Sequence, residues 1–166
     1  MSVFDAITRS AFPKIAYVIE PRFSGGTSAA VAAELRVAVE FGIVEVHAVT
    51  SKTFGENQYV APVLRRVLDE LRIPLVWDAP RISADFVILH NPAFLKFQDA
   101  LNTKIFARSL IVVTHENFLR PGGAEGFDVL ACLNRIDEAT LTLRKHLAPI
   151  SPYNRKTVKE WLAMSR

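Results

Sequence analysis

Lys14-Ile15-Ala16-Tyr17-Val18-Ile19-Glu20, followed by Pro21 and then by Ser24-Gly25-Gly26-Thr27-Ser28, decides the fold class. The first run is short, apolar and β-rich and stops at a proline, the pattern of a strand buried on both faces. The paired glycines supply a turn. An Ala-rich segment follows, with Val31, Leu35 and Val39 at fourfold spacing, which predicts a helix stopped by Gly42. Residues 44–50, VEVHAVT, then alternate with period two. Strand, glycine turn, helix and strand make a βαβ unit, whose crossover is right-handed.

Working outward, Pro62 opens a second helix whose Leu64, Val67, Leu68 and Leu71 line one face. Residues 75–77 and 85–90 predict two further strands, the second ended by Asn91-Pro92, with Phe94, Phe97 and Leu101 marking a short helix. Residues 110–114 read as another buried strand, 120–126 as a loop and 127–133 as helix. Residues 148–150 read as a weak last strand, and Val158, Trp161 and Leu162 share one side of a terminal amphipathic helix. Strands that alternate with helices and lack a polar face predict a three-layer α/β/α sandwich around a Rossmann-like, mainly parallel sheet.

Half of the 166 residues are apolar, which fills one interior but not two, so residues 1–166 are expected to form a single domain. The apolar runs at residues 15–19 and 29–33 fall far short of the ~20 residues of a membrane span. Met1-Ser2-Val3-Phe4-Asp5 lacks the cationic start of a secretory signal, and Cys132, the single cysteine, has no internal partner. Both observations predict a cytoplasmic home. Twenty basic against 17 acidic residues give a net charge of +3, so no nucleic-acid partner is expected. The basic groups Arg65-Arg66, Arg144-Lys145-His146 and Arg155-Lys156 with Lys159 read as solvated helix faces, with weak peripheral contact to an anionic membrane as their functional alternative.

Ligands of parallel α/β sheets gather at the carboxyl ends of the strands. Gly25 and Gly26 open a helix there, where backbone amides can meet an oxyanion, or they simply turn the chain. The pattern is neither the three-glycine dinucleotide fingerprint nor a phosphate loop ending in Gly-Lys-Ser/Thr. His90 and His115 each follow an apolar strand, where an imidazole can bond a hydroxyl or exchange a proton near its ordinary pKa of ~6.5. His47, inside a strand pattern, and His146, in a basic run, read as structural or solvated. Asp128 and Asp137 read as surface charges in helices. No His-x-x-x-His or Cys-x-x-Cys spacing suggests a metal, and no Gly-x-Ser-x-Gly elbow suggests a serine nucleophile.

The ordered set of residues 14–18, Gly25-Gly26, 44–50, 84–90 and Ile111-Val112-Val113-Thr114-His115-Glu116 resembles the N-terminal half of a GT-B glycosyltransferase of the retaining, glycogen-synthase-like group. Ile150-Ser151-Pro152-Tyr153-Asn154-Arg155 is similar to the segment that closes that half. The resemblance implies an acceptor-side domain that transfers a sugar from a nucleotide-diphosphate sugar. In it His115 is the catalytic histidine of a strand-end Thr-His motif. Gly25, Gly26 and Thr27 approach the donor diphosphate, while His90, Asn91, Glu116 and Asn117 bind the acceptor. The loop at 121–126 is available to close over the acceptor. No metal and no cofactor beyond the nucleotide-sugar substrate is implied. The donor-holding glutamates of the family stand in a second domain, which the resemblance requires in the same polypeptide or in a partner chain.

Two rivals come from other classes. A nicotinamide-binding domain needs an acid at the end of the second strand to hold the ribose, where this sequence has Thr50-Ser51-Lys52. A phospho-receiver needs clustered acids, and Glu20 and Asp78 stand apart. A non-catalytic nucleotide- or partner-binding module on the same sheet is the remaining alternative.

Overall fold

A computed structural model describes residues 12–165. Six strands form one parallel sheet: β1 (Lys14–Ile19), β2 (Ile43–Ala48), β3 (Leu75–Trp77), β4 (Arg81–His90), β5 (Lys104–Thr114) and β6 (Thr140–Pro149), in the order β3-β2-β1-β4-β5-β6. The helices are α1 (Gly26–Ala38), α2 (Pro62–Leu71), α3 (Val129–Ala139) and α4 (Pro152–Met164). This is the Rossmann-like α/β architecture predicted from residues 14–50. Strand order reverses between β1 and β4. Because parallel crossovers are right-handed, the reversal sends α1 and α2 to one face and the later connections to the other.

One buried cluster joins Ile15, Tyr17 and Ile19 of β1 to Val31 and Leu35 of α1 and Leu64 and Leu68 of α2. The opposite face joins Ala16 and Val18 to Leu89, Leu110, Phe94, Cys132 and Ile136. Part of that second cover is sheet. A straight β4 would set Arg81 about 30 Å from His90. Yet the Asp78 N–H donates to Ala48 O at the carboxyl end of β2 (2.8 Å), and Pro80 O accepts from Lys104 N at the start of β5 (2.9 Å). Two Cα steps reach only about 8 Å. The first halves of β4 and β5 therefore fold back over the sheet, and their Ile82, Ala84, Ile105 and Ala107 share a cluster with Ala16, Val18 and Val49. The paired residues of β4, β5 and β6 skip Asp85, Arg108 and Leu143, one level in three adjoining strands. Asp85 Oδ2 accepts from Lys14 N at 2.9 Å and ties that bend to the start of β1.

Several elements differ from their sequence-based extents. Strands β4, β5 and β6 begin earlier than expected, at Arg81, Lys104 and Thr140: the first halves of β4 and β5 alternate buried residues with more exposed ones, β6 has no buried residue, and none of the three first halves has a continuous apolar run. Instead of a helix through Phe94, Phe97 and Leu101 there is a 3-10 turn, Pro92–Leu95, since the folded-back start of β5 is near. Helix α3 starts later than residue 127, at Val129, and Asp128 is its N-cap, accepting from Ala131 N at 2.9 Å. Helix α1 ends at Ala38, before Gly42. A Cβ at Gly42 would lie 2.4 Å from Pro13 O, so close backbone approach is what requires glycine there. Among the described residues no helix is long and apolar enough to cross a membrane.

The loops after β1 and β2 are joined by a buried ion pair. Arg22 Nε and Nη2 each donate to a Glu20 carboxylate oxygen at 2.7 Å. The remaining guanidinium donors reach the carbonyls of Gly55, Asn57 and Ser51. Glu20 also accepts from the backbone N–H of Arg22 and of Ser51. All five guanidinium N–H groups are thus used. Leaving one charge buried alone costs about 3–5 kcal/mol, whereas removing both costs less. Arg22→Met is expected to lower stability in denaturant unfolding by about that amount, and Glu20→Met/Arg22→Met by less than the sum of the two single changes; strict additivity would show that the pair does not bind the loops together.

Candidate functional site

The loop from β1 to α1 and the carboxyl ends of β4 and β5 lie at one end of the sheet, beside the reversal of strand order where parallel α/β sheets form their crevice. Gly25 has φ 94° and precedes α1, no side chain caps that helix start, and Cβ atoms at Gly25 or Gly26 would meet nothing within 4 Å. The positive φ explains the first glycine. The open space beside both leaves the first amides of α1 accessible, at the end where the helix dipole favours an anion. Thr27 is half-buried.

The two histidines meet. His90 Nδ1 and His115 Nε2 lie 2.9 Å apart, and His90 Nε2 donates to Glu34 Oε2 of α1 at 3.1 Å. The His90 ring, 1% exposed, stacks on Tyr17 at 5.8 Å between centroids and 19° between planes. The register explains the meeting. Tyr17 pairs with Ile88, and His90 pairs with Val113. By strand alternation Tyr17, His90 and His115 therefore share the α1 face of the sheet. Glu34 sits eight residues into α1 from Gly26, about 12 Å along the helix, and its side chain leans back toward the helix start.

Burial and the neighbouring His90 push the His115 imidazole down from 6.5 to about 4, with Glu34 opposing. His115 is thus neutral at pH 7, which differs from the near-neutral titration expected from its ordinary pKa. Burial, and then Glu34, push the Tyr17 phenol up. The loop that carries His115 is clamped by α4: Asn154 Nδ2 donates to His115 O at 3.3 Å and to Asn117 Oδ1 at 2.8 Å. Ser151 caps α4, accepting from Asn154 N at 3.1 Å.

Two of the residues expected to bind an acceptor are buried. His90 has both ring nitrogens engaged, and Asn91 is 3% exposed, so neither offers a surface to an acceptor; His90 stands behind His115. Asn91 takes φ 57°, and its Oδ1 is buried without a partner, as is Thr114 Oγ1 at the end of β5. Glu116 and Asn117 are half-buried beside His115. The loop at 121–126 has Gly122 and Gly123 at φ 98° and 86°, and Trp161 Nε1 donates to Glu125 Oε1 at 2.5 Å. His47 is buried with Glu45 Oε2 at 3.3 Å, and His146 is exposed.

Glu34 was missing from the sequence reading. Its signal is local: it is the one acid in the Ala-rich α1, bordering the stripe of Val31, Leu35 and Ala38. Conversely, Glu20 and Asp78, weighed as receiver acids, hold the frame. Glu20 pairs with Arg22, and Asp78 accepts from Thr50 N and Oγ1 at 2.7 and 2.5 Å. The corner where a dinucleotide's ribose would sit is tied to the protein itself, with Ser51 bonded to both members of the Glu20–Arg22 pair and Lys52 Nζ 3.0 Å from Asp99. Among the described residues no group of three His, Cys, Asp or Glu is placed to hold a metal ion. Comparison with family models, curated proteins and solved structures gave no match in any of the three.

The lowered pKa of His115 has a consequence for stability. Between pH 6.5 and about 4 the unfolded chain binds a proton at this residue that the folded chain does not, so stability falls as pH drops through that window. The denaturant midpoint is expected to decline from pH 6.5 toward 4, and His115→Gln to make the decline shallower. Equal pH slopes in the two proteins would refute the burial of this ring.

Proposed function

We propose that this chain is the acceptor-side domain of a glycosyltransferase of the retaining, glycogen-synthase-like GT-B group. It would move a sugar from a nucleotide-diphosphate donor to an acceptor hydroxyl, with the donor wall supplied by a second domain or a partner chain. The observation that carries this reading is the His90–His115 contact of 2.9 Å at the carboxyl end of the sheet, the end at which the uncapped Gly25–Gly26 helix start also lies. A neutral His115 accepts a hydrogen bond from the acceptor hydroxyl and orients it. The amides of Gly26 and Thr27, at the positive end of α1, stabilise the departing diphosphate. Glu116 and Asn117 flank the acceptor, and the loop at 121–126 closes over it. Half a cleft supplies proximity to one reactant only, so the chain alone is expected to turn over negligibly.

A second reading, a non-catalytic nucleotide- or partner-binding module, is favoured by one observation. On the α1 face of the sheet Phe86 is 39% exposed, Ile88 and Ile111 are half-buried, and Arg144 and His146 are exposed. A partner chain can cover such a face.

Titration of the isotope-labelled chain with UDP-glucose and with GDP-mannose to millimolar concentration separates the readings. The transferase reading expects amide shifts centred on Gly25, Gly26 and Thr27 and no transfer by the chain alone. Shifts centred on Thr50 to Lys52, or no shift at all, would reject it, and measurable transfer by the chain alone would overturn the assigned division of labour.

A further inference from the structure

The contact between the histidines extends to a third group, and its direction follows from what each atom can do. As a carboxylate, Glu34 only accepts, so the hydrogen between it and His90 is on Nε2 of His90. With a single hydrogen on the His90 ring, its lone pair is at Nδ1, and the 2.9 Å contact is made by the Nε2–H of His115. That leaves the lone pair of His115 on Nδ1. This atom makes no hydrogen bond among the described residues and is not among the polar atoms sealed from solvent. The titratable groups facing the pair are Tyr17 from β1 and Glu34 from α1. The Glu34 side chain is 39% exposed, while that of His90 is fully buried.

We propose that Glu34 is a positioning residue that fixes the tautomers of His90 and His115, so that Nδ1 of His115 is the basic nitrogen offered to a ligand hydroxyl. The proposal deepens the transferase reading and rests on it for the identity of that hydroxyl alone. The same chain also carries a proton away. When Nδ1 of His115 takes the hydroxyl proton, the Nε2 proton of His115 passes to Nδ1 of His90, and the Nε2 proton of His90 passes to Glu34. Glu34 releases it to solvent on the flank of α1. Three protons shift by one place, one leaves, and both rings end neutral with their hydrogens on the opposite nitrogens. Return to the starting tautomers runs the chain backward: a proton enters from solvent at Glu34, and the one on Nδ1 of His115 leaves to the departing diphosphate or to water. Tyr17 holds the middle ring in plane through its stacking contact.

Imidazole nitrogen NMR of the full chain at pH 7 tests this without any sugar, because protonated and unprotonated ring nitrogens have widely separated shifts. In the wild type His115 is expected to carry its hydrogen on Nε2 and to show an unprotonated Nδ1. In Glu34→Leu both rings are expected to lose this single-tautomer signature and move toward the average of the two forms. A hydrogen on Nδ1 of His115 in the wild type would overturn the proposal, as would unchanged tautomers in Glu34→Leu. The wild-type spectrum decides by itself if the variant does not fold. Correct tautomers with no response to nucleotide sugars would reject the transferase reading and leave the relay standing; the converse pair of results would do the opposite.

Discussion

The right-handedness of parallel crossovers is the constraint on which the rest of this structure depends. Strands that step outward from β1 through β2 to β3 place α1 and α2 on one face. Stepping the other way, through β4 to β6, places the later connections opposite. At the reversal the ends of β1 and β4 diverge, and no connection fills the space between them. The glycine turn opens into that space, and the histidines ending β4 and following β5 come to its edge. The Glu20–Arg22 pair holds the first two strand-end loops together at one side of it.

The second distinctive feature is how the lower part of the sheet is covered. The connection from β3 to β4 is only residues 78–80, too short for a helix, and the strands cover the sheet themselves. Bending at Asp85, Arg108 and Leu143 brings Ile82, Ala84, Ile105 and Ala107 onto Ala16, Val18 and Val49. The outward residues of these halves are correspondingly polar or exposed, as at Ser83, Lys104 and Arg108. The connection between β4 and β5 also meets the loop after β2: Gln98 accepts from Lys52 N at 2.9 Å.

Within the crevice, polar groups are graded by burial. His90 is enclosed and saturated with partners, Glu34 is its outlet toward solvent, and His115 is the ring with an unused nitrogen. Low effective dielectric strengthens each hydrogen bond of such a chain and penalises any charge left on it. That explains why His115 is held neutral while Glu34, at the outer end, meets water. The orphaned Asn91 Oδ1 and Thr114 Oγ1 lie at the ends of the same two strands, where buried polar atoms without protein partners are uncommon.

The amino-acid sequence by itself determined the parallel α/β class, the β1–α1–β2 unit, helix α2 and the histidines at two strand ends. All of these are written in local periodicity, proline and glycine placement, and the apolar runs of residues 15–19, 86–89 and 110–113. The long first halves of β4 and β5 were not legible, because Arg81, Ser83 and Lys104 interrupt them with residues that face outward once the sheet has bent, and β6 was not legible because its residues are exposed from Leu141 to His146, Thr142 excepted. Nothing local singles out Glu34 or Tyr17; only the packing of α1 on the sheet brings Glu34 to His90, 56 residues away in the chain. The protonation of His115 was likewise decided by the tertiary structure, since a lowered pKa comes from burial beside another imidazole and no local sequence carries that information.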